Sequence, residues 1–335
     1  MTDFQKSKSL ILSFYDELDS ASGDEINDVL RHYTAEDYYW RGMHPFYEQH
    51  GSDAVANVFW KPFRRSFAPI QRRQDVFMAG LNQVDNFESE WVCSMGHLLG
   101  LFDRDWLGIP STGKMGFLRY VEFNRITNGK ISETALFCDI ISVMLQAGQN
   151  PLPAQTGTFF ITPGPRTHDG LLFDRQDPDE TNKTRDLINR MVNDLATAGM
   201  HSELEELAET WHQDMIWFGP AGIGAAYTIK RYEEQHQGPF NEGLEDFIFY
   251  GHKCFLTEGH YGGFFGWSNL SMRPSGGFMG LPASNKRAEM RVVDIYRREG
   301  DKLAENWIFI DLLHFLSMQG LDVLGRMRRI NGHRI

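Results

Sequence analysis

Three acidic residues recur in register along the two halves of this 335-residue chain: Glu122, Glu133 and Asp139 in the first, Asp294, Glu305 and Asp311 in the second, each pair 172 positions apart. Rings stand among them, Tyr120 and Phe137 in one set, Trp307 and Phe309 in the other. A carboxyl surrounded by rings is poorly solvated, so its pKa rises and it can exchange protons near neutral pH. The chemistry on offer is general acid and base catalysis. Histidine is a second proton carrier, with twelve in the chain. His97 lies in C-S-M-G-H and His236 just before Gly238-Pro239-Phe240, and both are candidate catalytic imidazoles, with His44 and His252 as weaker ones.

Other chemistries find little support. No H-x-H or H-E-x-x-H spacing occurs and the three cysteines, Cys93, Cys138 and Cys254, form no C-x-x-C, so neither a metal site nor a disulfide scaffold is expected. The glycine-rich run Gly219 to Gly224 lacks a phosphate-loop ending and reads as a loop closing over a pocket; no G-x-S-x-G is present. No cofactor is therefore predicted. A net charge of −12 argues against a nucleic-acid partner. No run of eighteen apolar residues and no secretory segment is read, which predicts a cytoplasmic protein without a membrane partner. Apolar residues at 41% and aromatics at 13% describe a globular chain with rings to spare.

The elements that must position these groups come as an internal repeat. Gly108 to Gly148 overlays Gly280 to Gly320 with eleven identities in 41 positions, where chance gives roughly two or three. Upstream, Leu10, Ile11, Phe14 and Leu18 fall on Leu187, Ile188, Met191 and Leu195, the apolar stripe of an amphipathic helix in both cases. The offset there is 177 to 178, which implies a net deletion of six residues, placed near Ala221 to Gly224 opposite His44 to Gly51. The domains are set at 1–150 and 180–335, with a proline- and glycine-rich linker at 151–179 whose Phe159, Phe160 and Ile161 should pack along a surface.

Each copy reads as two helices, a short aromatic strand, a third helix beginning at Ser52 in the first copy, then a run of strands, which is the α+β class. Asn128-Gly129 and Gly300-Asp301 mark the turns of a final hairpin, whose last strands are read as Ile131 to Ile141 and Leu303 to Leu313. Centring the first turn puts Glu122 opposite Ala135 and Leu118 opposite Asp139. Alternation then gathers Tyr120, Glu122, Glu133, Phe137 and Asp139 on one face, and Asp294, Glu305, Trp307, Phe309 and Asp311 on the equivalent face of the second copy. That face is read as the lining of a pocket. Glu122 and Asp139 would stand roughly 13 Å apart along it, too far to share a proton.

Gly108-Ile-Pro-Ser-Thr-Gly-Lys114 and Gly280-Leu-Pro-Ala-Ser-Asn-Lys286, each followed by a strand, a tight turn and E-x-x-x-F-x-D, resemble the SnoaL-like polyketide cyclases, or ester cyclases, of the NTF2-like superfamily. The second copy matches more fully, with E-N-W-I-F-I-D; the first has Ala135 where the tryptophan would stand. The resemblance implies two tandem NTF2-like cones, each with three helices packed on a curved antiparallel sheet around an apolar pocket, forming a pseudo-dimer within one chain; a homodimer is a further expectation. It also implies an aspartate on the last strand acting as acid and base in an aldol ring closure, and carries that role onto Asp139 and Asp311. Glu122 and Asp294 are partner candidates, and Glu133 and Glu305, next to the turn, are expected to be solvated and structural. Pocket walls are assigned to Trp217, Trp307, Phe309, Tyr227 and Trp267 in the second copy and to Tyr39, His44, Trp60 and Phe137 in the first. The function expected is acid–base chemistry on a small apolar carbonyl compound: cyclisation, isomerisation, or hydration and dehydration. The alternatives are a ligand-binding protein without turnover, and one catalytic copy with the other, the first by its Ala135, as structural partner.

Overall fold

In the computed structural model, which describes residues 3–197 and 203–332, the order of elements repeats as the sequence repeats. The first unit opens with the helices Gln5–Ser20 and Glu25–Tyr33, whose buried Ile11, Phe14, Leu18, Ile26 and Leu30 form the apolar stripe. Six strands follow: β1 (Thr34–Gly42), β2 (Glu48–His50), β3 (Phe67–Leu81), β4 (Glu90–Phe102), β5 (Lys114–Thr127) and β6 (Lys130–Cys138), in the order β2-β1-β6-β5-β4-β3. The second unit has the helices Pro178–Thr197 and Leu204–Thr210, then β7 (Trp211–Phe218), β8 (Ala226–Tyr227), β9 (Leu244–Phe249), β10 (Cys254–Glu258), β11 (Tyr261–Phe265), β12 (Leu270–Pro274), β13 (Ala288–Met290), β14 (Val292–Glu299) and β15 (Lys302–Ile310). Its main sheet runs β10-β11-β14-β15-β7-β8, beside a smaller sheet β13-β12-β9. The long β3 and β4 of the first unit correspond to broken pairs, β9 with β10 and β11 with β12.

The α+β class holds, with helices packed on a sheet in each unit, but the sheets are mixed and not wholly antiparallel. β1 runs parallel to β6, and β7 parallel to β15. β1 and β7 are each reached from a helix and are far in sequence from β6 and β15, so no tight turn forces the pair to be antiparallel. A third helical stretch, 52–66 and 229–243, carries a five-residue π turn in both units, Ala56–Trp60 and Glu233–Gln237.

Two further sequence expectations are corrected. The deletion does not lie near Ala221: the offset of 177 persists to Ser66 and Gly243, and the shortening falls between β3 and β4, where Leu81 pairs with Glu90 across an eight-residue loop while Glu258 pairs with Tyr261 across two residues. The segment 151–179, expected to pack along a surface, is held to both units in turn. Residues 151–162 cluster with the second unit and 163–175 with the first, as does the stretch from Leu324 onward. Backbone pairing holds both parts: Phe77 N–H donates to Gly170 O at 2.8 Å, Gly157 N–H to Ile223 O at 2.8 Å. Phe160 packs edge-on against Phe218.

The third correction decides the site. The Asn128-Gly129 turn forms with positive φ at both residues, as predicted, and Thr127 pairs with Lys130. One strand residue later a bulge at Ser132 shifts the ladder, so that Arg125 pairs with Glu133, Glu122 with Leu136 and Tyr120 with Cys138. The second unit bulges at Ala304, pairing Arg297 with Glu305, Ile295 with Trp307 and Asp294 with Ile308. One unpaired residue reverses the facing of everything beyond it.

Candidate functional site

Because of that bulge, β14 and β15 present Val292, Asp294, Tyr296, Asn306, Ile308 and Ile310 to a cavity of about 150 Å³ inside the second unit. Its other walls include Trp211 and Trp217 from β7, Tyr232, His236, Gln237 and Phe240 from the third helical stretch, and Phe249, His252, Phe264 and Asn269 from the strands beyond. The π turn widens the helix by one residue, and it is the consecutive pair His236 and Gln237 that it brings to the cavity.

Asp294 is the buried acid in this space; Asp194 and Glu206 also line it, half-buried and exposed respectively. It is buried, accepts a hydrogen bond from Asn306 Nδ2 at 3.1 Å, and also accepts one from Tyr296. Burial pushes its carboxyl up to about 7 against the opposing pull of those two donors. The phenols of Tyr232 and Tyr296 are driven upward by burial and by Asp294, so both keep their protons. His236 stacks on Trp217 with ring centroids 3.9 Å apart, and burial lowers it to about 3. His252 stacks on Phe264 at 3.9 Å, and burial lowers it to about 4. Both imidazoles are neutral at pH 7. Four buried side-chain atoms here have no hydrogen-bond partner among the described residues: His236 Nδ1, Gln237 Nε2 and Oε1, and His252 Nε2. Unpaired buried polar atoms are costly, and a ligand that pairs with them recovers that cost.

Of the predicted site residues the structure brings together Asp294, His236, His252 and Trp217. Asp311, Trp307 and Phe309 lie on the opposite side of the sheet, outside the cavity. Asp311 is fully buried, caps the helix Leu312–Met318 by accepting from His314 N–H at 3.2 Å, and stands 3.6 Å from Arg291 Nη1. The strand ends before it, at Ile310, and a helix begins where more strand was expected. Asp139 does the same work in the first unit, accepting from Ser142 N–H at 3.0 Å at the start of Ile140–Gln146. Trp307 stacks on Phe218 at 5.4 Å, Trp267 carries the Arg291 guanidinium at 4.0 Å, and Tyr227 is 57% exposed on the short β8. None of these three lines the cavity. Glu133 and Glu305 are ion-paired and not solvated, the first with Arg41 at 2.7 Å, the second with Arg297. Gln237, Asn269, Tyr232, Tyr296 and Asn306 were missed, Asn306 because the unbulged register turns it outward; Tyr296 has the parity of Asp294 on the same strand, a signal that was there to be read.

The first unit puts its predicted residues in three separate places. Glu122 faces inward, hydrogen-bonded by the Tyr15 hydroxyl, but the space before it is filled by Arg72. That guanidinium lies over Tyr15 at 3.9 Å and Tyr120 at 5.1 Å, with Trp60 at 5.7 Å, and forms two hydrogen bonds to Asp19 at 2.8 and 2.9 Å. His97 and Phe137 are on the opposite face, His97 Nδ1 being 3.4 Å from Asp75. Tyr39 packs at a tilt against His50, and His44 meets Tyr47 edge-on, its Nδ1 2.9 Å from the Tyr47 hydroxyl.

Comparison with known proteins agrees with the motifs. Residues 265–317 match the SnoaL-like polyketide cyclase family model, a stretch that holds β14, β15, Asp294 and the helix capped by Asp311. Solved structures similar to part of this chain include a SnoaL-like protein from Jannaschia sp. CCS1 (18% identity, 44% of this chain and 95% of that one, TM-score 0.36). An NTF2-like protein from Burkholderia xenovorans LB400 (13%, 42% and 97%, 0.34) and TsrD from Streptomyces laurentii (18%, 43% and 97%, 0.32) are others. No curated protein matches the chain.

Proposed function

We propose that this tandem of NTF2-like units with a SnoaL-like second copy binds an apolar carbonyl compound in the second unit's cavity and moves a proton on the carbon beside the carbonyl, with Asp294 as acid and base. The observation that carries this reading is a single buried carboxyl held near pH 7 in a cavity walled by tryptophan, phenylalanine and isoleucine. Such a group is half ionised at physiological pH, which is where a general base that must also return its proton works best. The carboxylate takes the proton, leaving an enolate on the substrate, and the carboxylic acid gives it back at the same or another carbon. Cyclisation, isomerisation and dehydration all begin with that step. The first unit serves as the structural copy, its interior occupied by Arg72.

The test is exchange of the acidic C–H of 1-tetralone, a bicyclic aryl ketone, for deuterium in D₂O, followed by proton NMR with the full chain. Exchange above the buffer rate is expected for the wild type and its loss for Asp294→Asn. Equal exchange by both removes Asp294 from the reaction; binding of the ketone without exchange makes the cavity a carrier site.

A further inference from the structure

Proton removal beside a carbonyl leaves charge on the carbonyl oxygen, and Asp294 cannot stabilise charge at an atom it does not face. A hydrogen-bond donor is needed on the other side of the substrate. Asn306, whose Nδ2 is bonded to Asp294 and to Ile295 O, has no spare donor aimed elsewhere. The tyrosine hydroxyl nearest the acid, on Tyr296, is likewise spent on Asp294.

His252 is not spent, and its tautomer is fixed by its neighbours. Asn269 Oδ1 accepts the backbone N–H of Val292 at 2.7 Å, which sets the orientation of that amide. Its Nδ2, a donor only, then faces His252 Nδ1 at 3.3 Å. Nδ1 must offer a lone pair, so the neutral ring carries its proton on Nε2. Nε2 is the buried atom with no partner. The ring is held flat against Phe264, and Phe264 pairs directly with Asp294 across β11 and β14, so imidazole and carboxyl flank the same phenyl group. Burial keeps the ring uncharged, which makes it a fixed dipole and not a competing acid.

We propose that His252 is the second catalytic group of this cavity: its Nε2–H donates a hydrogen bond to the substrate's carbonyl oxygen while Asp294 takes and returns the proton on the adjacent carbon. This rests on the acid–base reading of Asp294 above. No proton leaves His252; the bond it donates shortens as the C–H bond breaks and the oxygen gains charge. The site therefore selects a neutral ligand with an oxygen acceptor on the Phe264 side, and discriminates against a hydrocarbon of the same shape.

The experiment uses the full chain with 1-tetralone labelled at the carbonyl carbon. In the wild type the bound carbonyl stretch should move to lower frequency than in hexane; in His252→Phe, which keeps the ring stack, the shift should vanish. Binding should weaken roughly fivefold to tenfold, and α-deuterium exchange should slow about a hundredfold. Long-range proton–nitrogen NMR on the wild type should show His252 protonated at Nε2 alone, which decides the point without a variant should His252→Phe fail to fold. A proton on Nδ1, or an unchanged stretch and exchange rate in His252→Phe, overturns the His252 assignment while exchange by the wild type keeps that of Asp294. A wild type that neither binds nor exchanges the ketone overturns both.

Discussion

Replacing Asp294 by asparagine should stabilise the second unit, and by an amount that depends on pH. Burial holds the folded carboxyl near 7, against 3.8 for an ordinary aspartate. A carboxyl whose folded pKa is raised binds its proton more tightly in the folded state, so protonation favours folding. Its contribution is fully present below about pH 4 and is lost as pH rises through 7. The span of about three pH units corresponds to ~4 kcal/mol, as an upper bound because water entering the cavity reduces it. Asparagine keeps an oxygen to accept the Asn306 N–H and has no proton to lose. The difference in unfolding free energy between Asp294→Asn and wild type should therefore be small and flat below pH 4, climb between pH 4 and 7, and level off above. Urea titrations followed by tryptophan fluorescence at pH 4, 5.5, 7 and 8.5 measure it, and subtraction of the two proteins removes every other titrating group. A difference that stays the same from pH 4 to 8.5 would mean that the carboxyl ionises as in water, and the case for Asp294 as a poised acid and base would fall with it.

The other expectations are simpler to state. The rate of 1-tetralone α-exchange should rise with pH through a midpoint near 7, as the Asp294 base form appears; a midpoint near 4 would place the base elsewhere. Calorimetry should count one 1-tetralone per chain, since Arg72 fills the first unit's interior, and a count of two would refute that. Asp311→Ala should cost about 3 kcal/mol, from a lost helix cap and a buried Arg291 deprived of a carboxylate, and leave ketone affinity unchanged. Loss of affinity at unaltered stability would return Asp311 to the site. Arg72→Ala should destabilise the first unit by about 3 to 5 kcal/mol, read as a lowered urea midpoint, by stranding Asp19 beneath the rings.

Much of the frame was written in the sequence, since an offset that keeps apolar stripes, turn glycines and acids in step can arise only from two copies of one fold. The choice of pocket face was not, and the reason is a bulge. Ser132 and Ala304 carry no mark of their own, being neither glycine nor proline. A signal did exist one step away. The bulged register sets Arg125 against Glu133 and Arg297 against Glu305, an oppositely charged cross-strand pair in both copies, whereas the unbulged one sets those arginines against Ser132 and Ala304. The identity of E-x-x-x-F-x-D between copies has the same origin: the glutamate pairs with an arginine and the aspartate caps a helix, so repetition there reports the demands of folding. Asp294 faces the cavity as the alternation of its own strand requires, since its facing does not depend on the register of the bulged neighbour.

What separates the copies is the content of one interior. At equivalent positions Tyr15, Trp60, Arg72 and Tyr120 of the first unit become Val192, Gln237, Phe249 and Val292 of the second. Each of the last four lines the cavity, and three are smaller than their counterparts. The acid is kept in both, as Glu122 and Asp294, and burial raises both, but the groups that oppose the rise differ. Burial raises Glu122 as well, yet Arg72 and the Tyr15 hydroxyl pull it back toward the ionised form. Its charge is thereby committed to a guanidinium that is itself bound to Asp19, a closed set with no room for a substrate and no free proton acceptor. Among the described residues Asp294 has amide and phenol donors and no cation beside it, so the proton it holds is the cheapest way for the fold to bury that oxygen pair, and also one that a ketone in the same space can exchange.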